Sequence, residues 1–180
     1  MNEDWGFKMS ENIIDIINLI TEFDTKNGVI KAVDGVSFSI RKGKVLGVVG
    51  ESGCGKSVTA KSILRLIPPN NGRIAGGEII FEGEDLLKKT SQEMRKVRGN
   101  KISMIFQNSL TSLNPVYTVG NQLIEMIRTH KDVSKNEAKE KSIEILKKVG
   151  IPSPELRMNE YPHQLSGGMS QRVVIAMALL

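Results

Sequence analysis

Residues Gly50, Glu51, Ser52, Gly53, Cys54, Gly55, Lys56 and Ser57 fit the pattern G-x-x-x-x-G-K-[ST]. The chemistry of that spacing is the cradling of phosphate. Glycines let successive backbone N–H groups turn inward around an anion, and a following helix adds roughly half a positive charge at its N-terminus. In such a loop Lys56 reaches the β- and γ-phosphates of a nucleotide, and the Ser57 hydroxyl ligates Mg2+. Cys54 occupies a variable position, where its backbone is used rather than its thiol. As the chain's one cysteine, it excludes an internal disulfide and suits a reducing compartment.

The loop needs a strand before it and a helix after it. Lys44-Val45-Leu46-Gly47-Val48-Val49 is a short apolar run suited to a buried parallel strand. Residues 57–67 favour a helix that Pro68-Pro69 stops. Upstream, Ile13, Ile16, Ile17 and Ile20 fall at helical spacing, yet isoleucine is β-branched and strand-prone. Periodicity and composition leave both readings open there. Val36, Phe38 and Ile40 alternate with Ser37 and Ser39 as a half-buried strand does.

Downstream, Asn70-Asn71-Gly72 and Gly76-Gly77 read as turns, 78–82 as a short strand, and Gly83-Glu84-Asp85 as another turn. Residues 91–98 read as a charged, exposed helix. Ile102, Met104 and Phe106 alternate in a strand that delivers Gln107 at its end. Residues 118–130 and 134–149 read as helices. The second opens on a Ser134/Glu137 capping box and ends at Gly150 and Pro152. Residues 166–180 are apolar on nearly every face, as a buried helix would be.

Composition narrows the classes. The 180 residues carry 25 basic and 20 acidic side chains, a net charge of +5 with no long run of one sign. That is a solvated surface and no nucleic-acid arm. The N-terminus lacks the apolar core of a secretory signal, and no apolar run approaches the ~20 residues that span a bilayer. Neither internal repeats nor low-complexity tracts occur.

A second glycine motif stands at Leu165-Ser166-Gly167-Gly168-Met169-Ser170-Gln171-Arg172. It is a second anion site in kind: Ser166 supplies a hydroxyl, Gly167 and Gly168 expose backbone N–H groups, and a helix begins there. The run resembles the LSGGQ signature of ABC-type ATPases. Gln107 resembles that family's Q-loop glutamine, which contacts Mg2+ and the attacking water. Phe23 matches the aromatic that stacks on adenine, which favours a strand for 14–20. Thr111-Ser112-Leu113-Asn114-Pro115, Tyr161-Pro162-His163-Gln164 and LSGGM look like the ATP-binding subunits of oligopeptide, dipeptide and nickel importers.

The resemblance implies an α/β P-loop NTPase fold, an ABC-type nucleotide-binding domain. It would have an N-terminal antiparallel β subdomain and an inserted helical subdomain. The implied divisions are an extension (1–11), a β subdomain plus P-loop core (12–107), a helical subdomain (108–164) and a signature helix returning to the core (165–180). ATP and Mg2+ are the implied ligands. The implied partners are membrane-spanning permeases, a second ATP-binding subunit held head to tail and, indirectly, an extracytoplasmic solute-binding protein. Its place would be peripheral, on the cytoplasmic side of the cell membrane.

Asn108-Ser109 replaces the family's usual Asp-Pro after the glutamine, and Ser170 stands where arginine is more usual. The Walker B strand with its catalytic glutamate lies further on in the family, so the chain reads as truncated before it, with no catalytic carboxylate of its own. His130 and His163 lie on the wrong elements to replace the switch histidine. Other readings are a nickel or other small-solute importer, a non-catalytic ATP-binding fragment, and a soluble ABC ATPase of DNA repair or translation. The last would carry a coiled-coil insertion or tandem cassettes, which this sequence lacks.

Overall fold

A computed structural model describes residues 11–107 and 112–180. The expectations that fall on residues 1–10, Asn108-Ser109 and Thr111 lie outside the described residues. The chain forms two compact units, divided between Met94 and Arg95.

The first unit is built on an antiparallel sheet of order β2-β1-β3-β4. Strand β1 (Asn12–Thr25) turns through Lys26-Asn27 into β2 (Gly28–Arg41). Thr25 Oγ1 fastens that turn, donating to the Gly28 carbonyl at 2.7 Å and accepting from the Asn27 N–H at 3.2 Å. Strand β3 (Gly72–Phe81) pairs with the other edge of β1. A two-residue turn then returns the chain as β4 (Glu84–Asp85). Glu82 and Gly83 both have positive φ (50° and 85°), as a type I′ hairpin requires.

Strand, not helix, is the outcome for 13–20, and the reason for the mixed signal is visible. Ile14 and Ile16 are buried, but the next buried positions are Leu19 and Thr21. The parity switches at Asn18 (φ 47°), where the pairing with β3 slips between Ile17 and Ile20. A bulge in a strand thus imitates helical spacing. Gly76-Gly77 is the other side of that bulge and lies within β3, so the turn expected there is corrected. At Gly77 (φ 94°) a Cβ would stand 2.5 Å from the Asn18 carbonyl oxygen. The short strand expected at 78–82 is the second half of β3, and Glu84-Asp85 is strand rather than turn.

Helix α1 (Lys56–Ile63) ends sooner than the prolines suggest. Arg65 takes φ 51°, the Arg65 N–H donates to Ser62 O at 2.9 Å, and the Leu66 N–H donates to Lys61 O at 2.8 Å. These bonds close a Schellman-type end. The Arg65 guanidinium donates to the carbonyls of Leu86 and Lys89, which holds the unusual backbone in place.

Helix α2 (Ser91–Val97) is charged but not wholly exposed: Met94 and Val97, at i and i+3, are buried. The second unit holds α3 (Val119–His130), α4 (Lys135–Lys148), α5 (Pro154–Arg157) and α6 (Gly167–Leu179), with a 3-10 turn at Pro162–Gln164. Its core joins Val119 and Leu123 of α3, Ile145 and Leu146 of α4, and Val173, Val174 and Ala176 of α6. The α4 capping box forms as its sequence predicts: the Glu137 N–H donates to Ser134 Oγ, and Glu137 Oε2 accepts from the Ser134 N–H.

Two expected strands are absent. Residues 44–49 join no ladder, and Val45 and Val49 are 99% and 93% exposed. Beyond a single bridge between Arg98 and Ile102, residues 103–106 pair with nothing either. Both runs have strand composition. A strand also needs a neighbour to receive its N–H and C=O groups, and none of the described residues supplies one.

Candidate functional site

The phosphate-loop motif is assembled as a loop at the head of α1. Lys56 Nζ turns back into the curve, donating to Gly50 O at 2.7 Å and Glu51 O at 2.6 Å, with Cys54 Sγ at 3.5 Å. The ammonium therefore sits where the loop encloses it. Gly55 is the N-cap residue of α1 with φ 94°. Its carbonyl accepts from the Thr59 N–H at 2.8 Å and from Thr59 Oγ1 at 3.0 Å. A Cβ here would lie 2.3 Å from the Ala32 carbonyl oxygen of β2. Glycine is thus required both by conformation and by the closeness of the sheet.

The first turn of α1 contains no acidic residue. The helices α2, α4 and α5 each place a glutamate there, namely Glu93, Glu137 and Glu155. The N-terminal charge of α1 is left uncompensated and faces the loop with Lys56, which favours an anion. Ser57 is the second residue of the helix and is exposed. Glu51, Ser52, Gly53 and Cys54 line the exposed rim.

Phe23 stands on β1 opposite Gly72 of β3 and Ile30 of β2. Its ring and the Ile67 side chain both overlie Gly72, where a Cβ would meet each at 2.7 Å. The ring is half-buried, with one face supported by the protein. This is a shape suited to stacking.

In the second unit Ser166 caps α6, its Oγ accepting from the Met169 N–H at 3.3 Å. The hydroxyl keeps its own proton for donation. Gly167 and Gly168 are exposed and have open space where a Cβ would stand. The α6 first turn again lacks an acid. Arg172 donates to the Gly150 carbonyl at 2.6 Å, which fastens α6 to the end of α4. Tyr161 and His163 stack at 5.6 Å just before the motif. Gln107 is exposed at the end of the 103–107 segment.

Sequence reading did not single out the residues that support the loop. They are the Ala32 carbonyl beneath Gly55 and a buried Thr21–Ser62 hydroxyl pair at 2.8 Å. A backbone carbonyl has no side-chain signal, and a lone Thr or Ser among apolar neighbours gives only a weak one.

Residues 33–180 match the family described as ABC transporter. The chain is 53% identical over 167 residues to the probable peptide ABC transporter ATP-binding protein y4tR of Sinorhizobium fredii, covering 93% of this chain and 50% of that protein. It is 49% identical over 170 residues to the dipeptide transport ATP-binding protein DppD of Bacillus subtilis, covering 94% and 51%. The chain spans about half the length of the curated relatives it matches. Among solved structures, the dimeric ATP-binding cassette MJ0796 in a post-hydrolysis state bound to ADP and Pi superposes with a TM-score of 0.81. That match covers 92% of this chain and 68% of that one at 27% identity. The fold is that of an ATP-binding cassette. Because one continuous match runs from β2 through the phosphate loop and Gln107 to the signature helix, the chain belongs to the ABC transporter family.

Proposed function

We propose that this chain is the nucleotide-binding part of an importer subunit that couples ATP binding and hydrolysis to peptide uptake. The observation that carries this reading is the loop geometry. Lys56 is held inside a glycine curve at the head of a helix with no acid in its first turn. Relatives named for peptide and dipeptide transport support peptide as the cargo class.

Within this reading Gly50 to Ser57 hold the ATP phosphates and Phe23 stacks on the adenine. The exposed Ser57 hydroxyl is a hard oxygen donor, which fits Mg2+, an ion that takes few protein ligands beside phosphate and water. The Gln107 amide is assigned the further contact to that ion. When bound, Mg2+ bridges and neutralises the phosphate oxygens. Lys56 supplies the fixed charge, and the α1 N–H groups orient the phosphates.

Ser166, Gly167 and Gly168 are assigned to a nucleotide held by a second ATP-binding subunit, head to tail. The open space at both glycines supports this, because packing within the chain does not require glycine there. Residues 108–164 form the helical subdomain between the core (12–107) and the signature helix (165–180), after an extension (1–11). Its groove of about 400 Å3, lined by Tyr117, Asn121, Ile124, Glu125, Arg128 and Thr129, is assigned to membrane-spanning permeases.

No helix among the described residues is long and apolar enough to cross a membrane. We therefore place the subunit peripherally, on the cytoplasmic side, with a solute-binding protein acting from the opposite side. No role is assigned to nucleic acid. The water-activating glutamate is assigned to sequence beyond Leu180. The test is reconstitution of the full-length subunit with its permeases in vesicles. ATP-dependent uptake of a labelled peptide, abolished by Lys56→Ala, is expected; nucleotide-independent uptake would refute the reading.

A further inference from the structure

Two buried hydroxyls join the sheet of the first unit to the helix that follows the phosphate loop. Thr21 on β1 and Ser62 on α1 are both fully buried, with their oxygens 2.8 Å apart. Ser62 Oγ donates to the Val58 carbonyl at 2.9 Å. Both bonds coexist only when Thr21 donates to Ser62, which gives each hydroxyl proton one acceptor.

The pair fixes a register. Thr21 lies opposite Val33 of β2, whose neighbour Ala32 presents the carbonyl that meets Gly55. Helix α1 is thus held at its cap by β2 and at its last turn by β1. Two residues beyond Thr21 stands Phe23. Thr21, Glu22 and Phe23 pair without a break against Ile74, Arg73 and Gly72, so Thr21 and Phe23 project from the same face of β1.

We propose that Thr21 and Ser62 are positioning residues, fixing the span between the ring that meets the base and the loop that holds the phosphates. This rests on the nucleotide reading above. A ligand gripped at two points gains affinity only when both grips are held at the ligand's own span. Neither hydroxyl touches the nucleotide in this scheme. Their effect passes through the separation of Phe23 from α1.

The test uses the intact protein titrated with ATP and, separately, with tripolyphosphate, which fills the loop but has no base. Thr21→Val is expected to weaken ATP about fivefold, the factor that one net hydrogen bond represents, while tripolyphosphate changes less than about twofold. Thr21→Ser should restore ATP affinity. Equal losses for both ligands, or no loss for either, would overturn the inference. Should Thr21→Val lose its thermal unfolding transition, Ser62→Cys carries the same comparison with a weaker hydrogen-bonding group. A wild-type protein that binds neither ligand would instead sink the nucleotide reading itself.

Discussion

A Cβ placed on Gly55 would stand 2.3 Å from the carbonyl oxygen of Ala32. The phosphate loop is therefore seated directly on the backbone of β2, and the seat tolerates no side chain. Gly53 has a comparable φ of 84°, but nothing lies within 4 Å of its Cβ position. The two glycines separate strain from collision. Gly53→Ala should cost about 1–2 kcal/mol, the left-handed penalty of an L-residue. Gly55→Ala adds the clash with Ala32 and should exceed that cost and abolish nucleotide binding. Thermal melts with ATP titrations check the ranking; equal effects would show that the Ala32 contact does not constrain the loop.

Lys56→Ala should weaken ATP binding most among single changes in the loop. Charge-assisted hydrogen bonds contribute roughly 1.5–3 kcal/mol, or about one to two decades in affinity. Phe23→Ala should cost less, since stacking adds only ~0.5–1.5 kcal/mol beyond area burial. Titration of the full-length protein ranks the two. The reverse order would mean that the base, not the phosphates, dominates recognition.

Asp85 gives the first unit an acid-sensitive joint. Burial pushes its carboxyl up, but donation from the Leu87 and Ile79 N–H groups and the nearby Lys88 ammonium outweighs this and holds it below its ordinary value. Lys88 is largely exposed, so the backbone donors carry most of the effect. A folded-state value below the unfolded one stabilises the protein above about pH 4, and that stability is lost as pH falls through the lower folded value. Asp85→Asn should therefore flatten the dependence of unfolding free energy on pH below about pH 4. An unchanged acid limb in the variant would assign it to other carboxylates.

Elements governed by local chemistry were the most legible in the sequence. The α4 capping box, the Thr118 and Ser166 caps and the alternation of Phe38 and Ile40 all appear where their residues place them. Features set by a second segment were not. The bulge at Asn18 needs Gly77 opposite it, and its switch of parity makes a strand look helical. The end of α1 depends on carbonyls of Leu86 and Lys89 holding Arg65 at positive φ. At the site, the glycine motifs showed which residues to look for. The support from Ala32, Thr21 and Ser62 emerged only once the sheet and helix were brought together.

Gly168→Asp should leave ATP affinity of the single subunit within a few-fold and abolish ATP-driven dimerisation. Open space at Gly168 means that the aspartate can be housed without disturbing α6. Its carboxylate would then face the phosphate held by the partner subunit in the proposed dimer, and like charges in a dry cleft repel strongly. Sedimentation with and without ATP reads the outcome. Equal loss of subunit binding would make the signature a structural cap alone.

Val45 and Val49, 99% and 93% exposed, flank Val48 at 57% in a run that joins no ladder. Burying one such side chain contributes roughly 1.5–3 kcal/mol, so three of them on an unpaired apolar segment form a ready template for another strand. The isolated 180-residue chain should therefore self-associate at micromolar concentration. Replacing both Val45 and Val49 with Lys should shift it toward monomer, because paired strands would then place like charges in close opposition. Light scattering across a dilution series measures this. A monomeric wild-type chain at high concentration, or an associated double-lysine variant, would show that the 44–49 segment is not the adhesive surface.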